Sequence, residues 1–353
     1  MSKSTSSIIG IGSILESDFQ HVLNTQYANS KKVILVDENT HDECLEYLIT
    51  SYPDELTDAE VMLLPAGEEN KVMEVCFQIW EALSEYKIGR KDLIINLGGG
   101  VITDLGGFIA SVYKRGVDVI NIPTSYLGMV DAAIGGKVGI DLGTLKNQLG
   151  SFYWPKYIYI DPAFLHTLPE EEKINGIAEA LKASLVADKN VWNELKSFTD
   201  VEQFFDLSIV EKVVNIKREI VEKDPFEADI RKHLNFGHTI GHAIEGYLLE
   251  KDPIKHGYAV AIGMVLEAYI AVLMDLMTEE DYQEIMQTIS KWFAPIEFEA
   301  REFDALIELM RHDKKNHSGH IKMALVTKIG ECQHDVTVSE DTIRKALKLL
   351  ILN

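Results

Sequence analysis

In the first 165 residues the apolar positions fall in short runs rich in branched side chains, spaced by longer stretches of helical period. Lys32-Val33-Ile34-Leu35-Val36-Asp37 is one such run, and Glu60 to Leu64, halted by Pro65, is a second. Asp92 to Leu97 is a third and runs into Gly98-Gly99-Gly100; a fourth, Val117 to Ile122, is closed by Pro123. Short apolar runs alternating with helical patterns such as Lys71 to Tyr86 predict βαβ units and a parallel sheet. Past Asp161-Pro162 the period changes. Lys173 to Leu185, Ser208 to Glu222, Phe236 to Leu249, Tyr258 to Leu276, Glu279 to Phe293 and Phe303 to Arg311 fit the 3.6-residue template better than alternation, and a β-like run returns only at Ile321 to Val326. The expected fold is therefore α/β: a Rossmann-like parallel-sheet domain over residues 1–165, suited to a nucleotide, followed by a mainly α-helical domain over 166–353.

Composition narrows what such a chain can do. With 353 residues, 46% hydrophobic and 25% charged, it is long enough for two well-buried cores. A formal charge of −22 argues against nucleic acid as a partner, because a binder of polyphosphate needs a basic face. No uninterrupted run of about 18 apolar residues occurs and the N-terminus has no apolar signal core, so the expectation is a cytoplasmic protein without a membrane association. Cys44, Cys76 and Cys332 are widely spaced, form no CxxC pair, and read as inert thiols of a reducing compartment.

Several stretches can carry chemistry. In Leu234-Asn235-Phe236-Gly237-His238-Thr239-Ile240-Gly241-His242-Ala243-Ile244-Glu245, His238 and His242 stand one helical turn apart on one face. A zinc protease would carry glutamate directly after the first histidine; Thr239 is there instead, which excludes that route. Glu179 and Lys182 are three residues apart on a helical stretch, spaced either for a structural ion pair or, with His238 and His256, for a carboxylate-and-two-histidine metal site with an open position. Gly98 to Asp104 lies where a strand hands over to a helix and is either a bare tight turn or a pyrophosphate cradle, although its spacing is not GxGxxG. Lys137, Lys146 and Asn147 sit in a glycine-rich loop after Asp131, surrounded by apolar residues that merely solvated lysines do not need.

Taken in order, these motifs resemble those of the 3-dehydroquinate synthases, over roughly Val33 to Glu331. The resemblance rests on the Gly98 to Asp104 turn, Pro123-Thr124-Ser125 through Asp131, Gly135-Gly136-Lys137 to Lys146-Asn147, Gly176 to Lys182, Leu234 to Glu245, and Lys255-His256-Gly257. It implies NAD contacts at Asp37, Asn39, Glu68, Lys71, Gly99, Gly100, Val101, Asp104, Thr124, Ser125, Phe164 and Thr167, and zinc or cobalt held by Glu179, His238 and His256. It also implies substrate contacts at Arg115, Asp131, Lys137, Lys146, Asn147, Lys182, Lys217, Glu227, Arg231, Asn235, His242 and Lys314. The implied reaction turns 3-deoxy-arabino-heptulosonate 7-phosphate into 3-dehydroquinate and phosphate, a lyase step of the shikimate pathway, through transient oxidation, phosphate elimination, re-reduction and aldol closure. A homodimer is implied as well.

Asp141-Leu142-Gly143 departs from the Asn-His-Pro common in that family, which keeps a different sugar phosphate cyclase open as an alternative. A metal-dependent NAD polyol dehydrogenase is the other. Lys137, Lys146 and Arg231 count against it, since a neutral polyol gives such cations no partner.

Overall fold

The computed structural model describes residues 5–143, 145–249, 251–311 and 320–351. Contacts group the chain into two compact units, residues 1–173 with 205–218, and residues 174–204 with 219–353.

The first unit is built on a six-stranded sheet whose neighbouring strands are all parallel. In chain order its strands are β1 (Ile8–Ile11), β2 (Lys32–Asp37), β3 (Glu60–Leu64), β4 (Leu93–Gly98), β5 (Asp118–Pro123) and β8 (Tyr157–Ile160), arranged β1-β8-β5-β4-β2-β3. The four apolar runs of the sequence are β2 to β5, in the middle and on one flank of this sheet. Val33, Leu35, Ile94 and Val119 pack with Ile102, Leu105 and Ile109 of the helix Gly100–Val112 in one core cluster. From β2 the chain winds outward to β3, then returns to place β4 on the other side of β2, so the strand order reverses between β2 and β4. The carboxyl ends at such a reversal open a crevice with no crossover above it. Asp37, which ends β2, and Gly98, which ends β4, sit at that edge.

The stretch after Asp131, expected as a glycine-rich loop, has regular structure. Gly128–Ala132 is one π-helical turn, and β6 (Lys137–Leu142) and β7 (Leu145–Phe152) form an antiparallel hairpin. Val138 and Ile140 of the hairpin belong to the same core cluster as the Gly100–Val112 helix. Gly107 lets the two approach, because a Cβ there would lie 2.4 Å from Val138 Cγ1.

The second unit is mainly helical, with one hairpin of β9 (Ile321–Lys328) and β10 (Glu331–Val338). Its central helix, His256–Leu273, is long and apolar enough to cross a membrane by length and composition alone; 67% of it is buried inside the molecule, as befits a core helix. Two further helices meet it at glycines. A Cβ on Gly241 of the helix His238–Leu248 would lie 2.9 Å from the Ala259 carbonyl oxygen, and one on Gly263 would lie 1.9 Å from that of Gly237. One on Gly257 would fall 1.9 Å from the carbonyl oxygen of Asn175, in the helix Glu170–Ala187. Backbone thus rests on backbone at each crossing, which fixes the helices far more closely than side-chain packing does.

Candidate functional site

In the second unit the three glycine-locked helices carry Glu179, His238, His242 and His256. Glu179 is 2% exposed, and burial of a carboxylate is costly unless a cation accompanies it. Lys182, one turn along, pairs with Oε2, so the i,i+3 ion pair is present. Oε1 has no hydrogen-bond partner among the described residues. It lies 3.7 Å from His238 Nε2 and 3.8 Å from His256 Nε2, too far for hydrogen bonds. Ligands on one tetrahedral zinc ion stand about 3.4 Å apart, so the spacing fits a shared metal ion. His238 Nδ1 is 3.2 Å from the Phe236 carbonyl oxygen, and His256 Nδ1 is 3.2 Å from Glu245 Oε2. Each Nδ1 thereby has a partner for its proton, which leaves the Nε2 lone pair for a metal.

His242 completes a group of three imidazoles whose ligating nitrogens all lie within 4.8 Å of one another. Its ring is 5.0 Å from that of His238 and 5.7 Å from that of His256. Unlike those two it is exposed, one turn beyond His238.

A loop ahead of this helix gathers three of the other expected substrate residues, Glu227, Arg231 and Asn235. Asp224 is its hub: one carboxylate oxygen accepts the Ala228 N–H at 2.9 Å, and the other accepts those of Asp229 at 2.7 Å and Arg231 at 3.1 Å. Burial pushes its carboxyl up, but these three donors, with the Arg231 charge, outweigh it and hold the group below the usual carboxylate range. The Arg231 guanidinium is itself buried, with Nη1 donating to the Pro225 carbonyl oxygen at 2.6 Å. Asn235 Nδ2 donates to Glu227 Oε1 at 2.9 Å.

The first unit gathers a different set at the crevice edge. The Gly100–Val112 helix starts from Gly99, which has no side chain to cap its first amides, as suits an anion-binding turn. A Cβ on Gly99 would lie 3.0 Å from Ser125 Oγ. Thr124 donates its N–H to the Gly98 carbonyl oxygen at 3.1 Å, so the β5 end is tied to the same turn. Beneath it Lys71 is 2% exposed, with Nζ 2.7 Å from both Asp104 Oδ2 and Asn147 Oδ1. Burial pulls the Lys71 ammonium down, but Asp104 and Glu68 more than compensate and leave it above the usual lysine range. Asp141 donates its N–H to the Lys71 carbonyl oxygen at 2.8 Å and accepts that of Asn147 at 2.6 Å, which holds Asn147 at a φ of +52°. Lys146 Nζ is 3.8 Å from Glu68 Oε1. Lys217, buried, pairs with Asp131.

Not every expected residue joins these sets. Arg115 is exposed at the far end of the 13-residue Gly100–Val112 helix, about 20 Å of helix rise from the glycine turn. Asn39 and Thr167 are exposed, Lys137 is exposed at the start of β6, and Phe164 is buried edge-on against Tyr47. Asp37 is partly used in capping the next turn, where its Oδ1 accepts the Thr40 N–H at 2.8 Å. Lys314 lies outside the described residues. The motif reading gave no role to Glu245, Glu267, Asp224 or Asp141. For Glu267 a signal existed: it is the one charged side chain in the helix His256–Leu273 apart from its histidine.

Comparison with known proteins bears on what these sets do. The profile described as 3-dehydroquinate synthase N-terminal matches residues 61–175, and that described as 3-dehydroquinate synthase C-terminal matches residues 176–316. The 3-dehydroquinate synthase of Parabacteroides distasonis is 39% identical over 336 residues, 94% of each chain. The solved 2-epi-5-epi-valiolone synthase of Streptomyces hygroscopicus, with NAD+ and Zn2+ bound, is 27% identical at a TM-score of 0.86, over 99% of this chain and 97% of that one. A 2-deoxy-scyllo-inosose synthase complexed with carbaglucose-6-phosphate, NAD+ and Co2+ shares the fold, with a TM-score of 0.84 at 22% identity over 97% of this chain and 96% of that one.

Proposed function

The chain belongs to the 3-dehydroquinate synthase family, and on that premise we propose that it converts 3-deoxy-arabino-heptulosonate 7-phosphate to 3-dehydroquinate and inorganic phosphate. It is then a phosphate-eliminating carbon–oxygen lyase of aromatic biosynthesis, acting in the cytoplasm, where its three free cysteines stay reduced. The observation that carries the reading within the structure is the buried Glu179 carboxylate, whose Oε1 faces two imidazole nitrogens at nearly equal distance.

Glu179, His238 and His256 would hold a zinc or cobalt ion. When bound, the ion would supply Lewis-acid polarisation of the substrate's alcohol oxygen and NAD a reversible hydride acceptor. The remaining work belongs to side chains. Lys182 balances the charge of Glu179, and Glu245 orients His256. His242, exposed beside the ligands, is placed to orient the departing phosphate and to move a proton to or from it.

Asp224 fixes the loop from which Arg231 and Asn235 reach substrate oxygens, and in the first unit Lys137, Lys146, Asn147 and Lys217 supply further donors to anions. Arg115 and Lys314 complete the proposed substrate set. For NAD, the Gly99 to Val101 amides serve the pyrophosphate. Asp37, Asn39, Glu68, Lys71, Asp104, Thr124, Ser125, Phe164 and Thr167 are assigned to the rest of the nucleotide.

The test is an assay of purified protein with the heptulosonate phosphate, NAD and zinc, following phosphate and absorbance of reduced nicotinamide together. Phosphate release without accumulating NADH is expected. Accumulating NADH, or no phosphate, overturns the proposal.

A further inference from the structure

The helix that presents His238 and His242 has an unusual start. Its N-cap position is Gly237, at a φ of +79°, and it has no side-chain cap of its own. Two constraints keep any capping residue out. The backbone there is left-handed, which disfavours every residue with a Cβ, and a Cβ on Gly237 would meet Met264 Cγ at 2.6 Å and the Val260 carbonyl oxygen at 2.8 Å. A serine or aspartate cap, the usual partner for first-turn amides, cannot be accommodated.

The cap comes instead from the neighbouring helix. Glu267 is 0% exposed and straddles the helix start: Oε2 accepts the Gly237 N–H at 2.6 Å and Oε1 accepts the Ile240 N–H at 3.0 Å. These donors flank His238 on either side. Glu267 lies three turns along the same helix that begins with His256, so one rigid rod carries a metal-ligand candidate at its first residue and the clamp on the other histidines' helix farther along. The Gly263 contact with the Gly237 carbonyl oxygen presses the two helices together at the same point.

We infer that Glu267 is a positioning residue of the metal site: by clamping the Gly237 and Ile240 amides it sets the axial and rotational position of the His238 helix against the helix of His256. The inference rests on the metal-site reading of Glu179, His238 and His256. Position matters because ligand atoms must meet one ion within a few tenths of an ångström, and loss of the groups that orient ligands costs about 10- to 100-fold in metal affinity. A carboxylate suits the place, since two acceptor oxygens meet two donors and the helix N-terminus favours negative charge.

The test compares Glu267→Gln, Glu267→Leu and the unaltered protein, each stripped of metal and titrated with zinc against a competing chelator and with cobalt by its visible absorption. Glu267→Gln keeps the shape and one acceptor but turns an amide N–H₂ toward a backbone donor. About a 10-fold loss of zinc affinity and an altered cobalt spectrum are expected from it in folded protein, and about 100-fold from Glu267→Leu. A merely structural role would lower the unfolding midpoint yet leave both metal readouts unchanged, and that result in Glu267→Gln overturns the inference even if Glu267→Leu does not fold. Unaltered protein that takes up neither metal overturns the metal-site reading and the inference with it. Metal uptake by the unaltered protein with equal affinity in Glu267→Gln overturns the inference alone.

Discussion

The two units handle charge in opposite ways. In the second, Glu179 Oε1, His238 and His256 converge at 3.7 and 3.8 Å without bonding to one another. In the first, cations are already seated on acids: Lys71 on Asp104, Lys146 near Glu68, Lys217 on Asp131. The arrangement in the second unit is ready for a cation that brings its own charge. That in the first unit lets an acidic chain keep lysines at a fixed place, where an arriving phosphate or carboxylate competes with the resident acids for them. One set is preorganised toward its ligand; the other is preorganised around stand-ins from the chain itself.

The contrast breaks most visibly at Glu179. Glu179→Ala is expected to lose bound metal and to cut turnover by roughly four orders of magnitude, as loss of a catalytic ion's carboxylate should. Elemental analysis beside kcat checks it, and retained stoichiometric metal would transfer the ligand role to the three imidazoles. His242→Ala sharpens the same point. A fall in kcat of about 100-fold with metal content unchanged is expected if His242 serves the substrate, whereas loss of metal would make it a ligand.

Effects in the first unit are expected on stability. Lys71→Met strands Asp104 and Glu68 beside a neutral side chain, and about 3 kcal/mol should disappear from unfolding in urea, with weaker NAD binding by calorimetry. The smallest effect lies in the second unit, where Asp224→Asn is expected to cost about 2 kcal/mol at neutral pH through its three backbone donors. Asp224 has its carboxyl held low in the folded state, so its stabilisation is complete above the unfolded value of about 3.9 and fades as pH falls through the folded one. Urea midpoints of the two proteins should therefore differ at pH 7 and converge in acid.

Much of this was legible in residue order. β2, β4 and β5 announce themselves because strands buried on both faces are unbroken apolar runs, and β3 by its apolar run up to Pro65 although it lies at the sheet edge with Val61 and Leu63 exposed. The β7 half of the β6–β7 hairpin does not, since Leu145-Lys146-Asn147-Gln148-Leu149-Gly150-Ser151-Phe152 has neither alternation nor β-branched residues, and the hairpin packs on the Gly100–Val112 helix through Val138 and Ile140 of β6. β1, with four residues, is too short to stand out. At the site, motif spacing pointed to Glu179 and the histidines. The contacts of two nearby acids were not legible for a different reason: Glu267 stands out as a lone charge in an apolar helix, but it and Glu245 make their contacts across helix crossings, and sequence spacing carries no record of which helix a side chain will meet.

The glycine crossings at 241, 257 and 263 have a consequence for how such a protein can change over time. Around most sites, neighbouring core residues can drift in size and the walls shift to suit. Here the distances between the helices bearing Glu179, His238 and His256 are set where main chain touches main chain, so replacements elsewhere in the core have little purchase on them. A single added methyl group at one of those crossings would spread the imidazoles and carboxylate apart, from positions that hold no functional group at all.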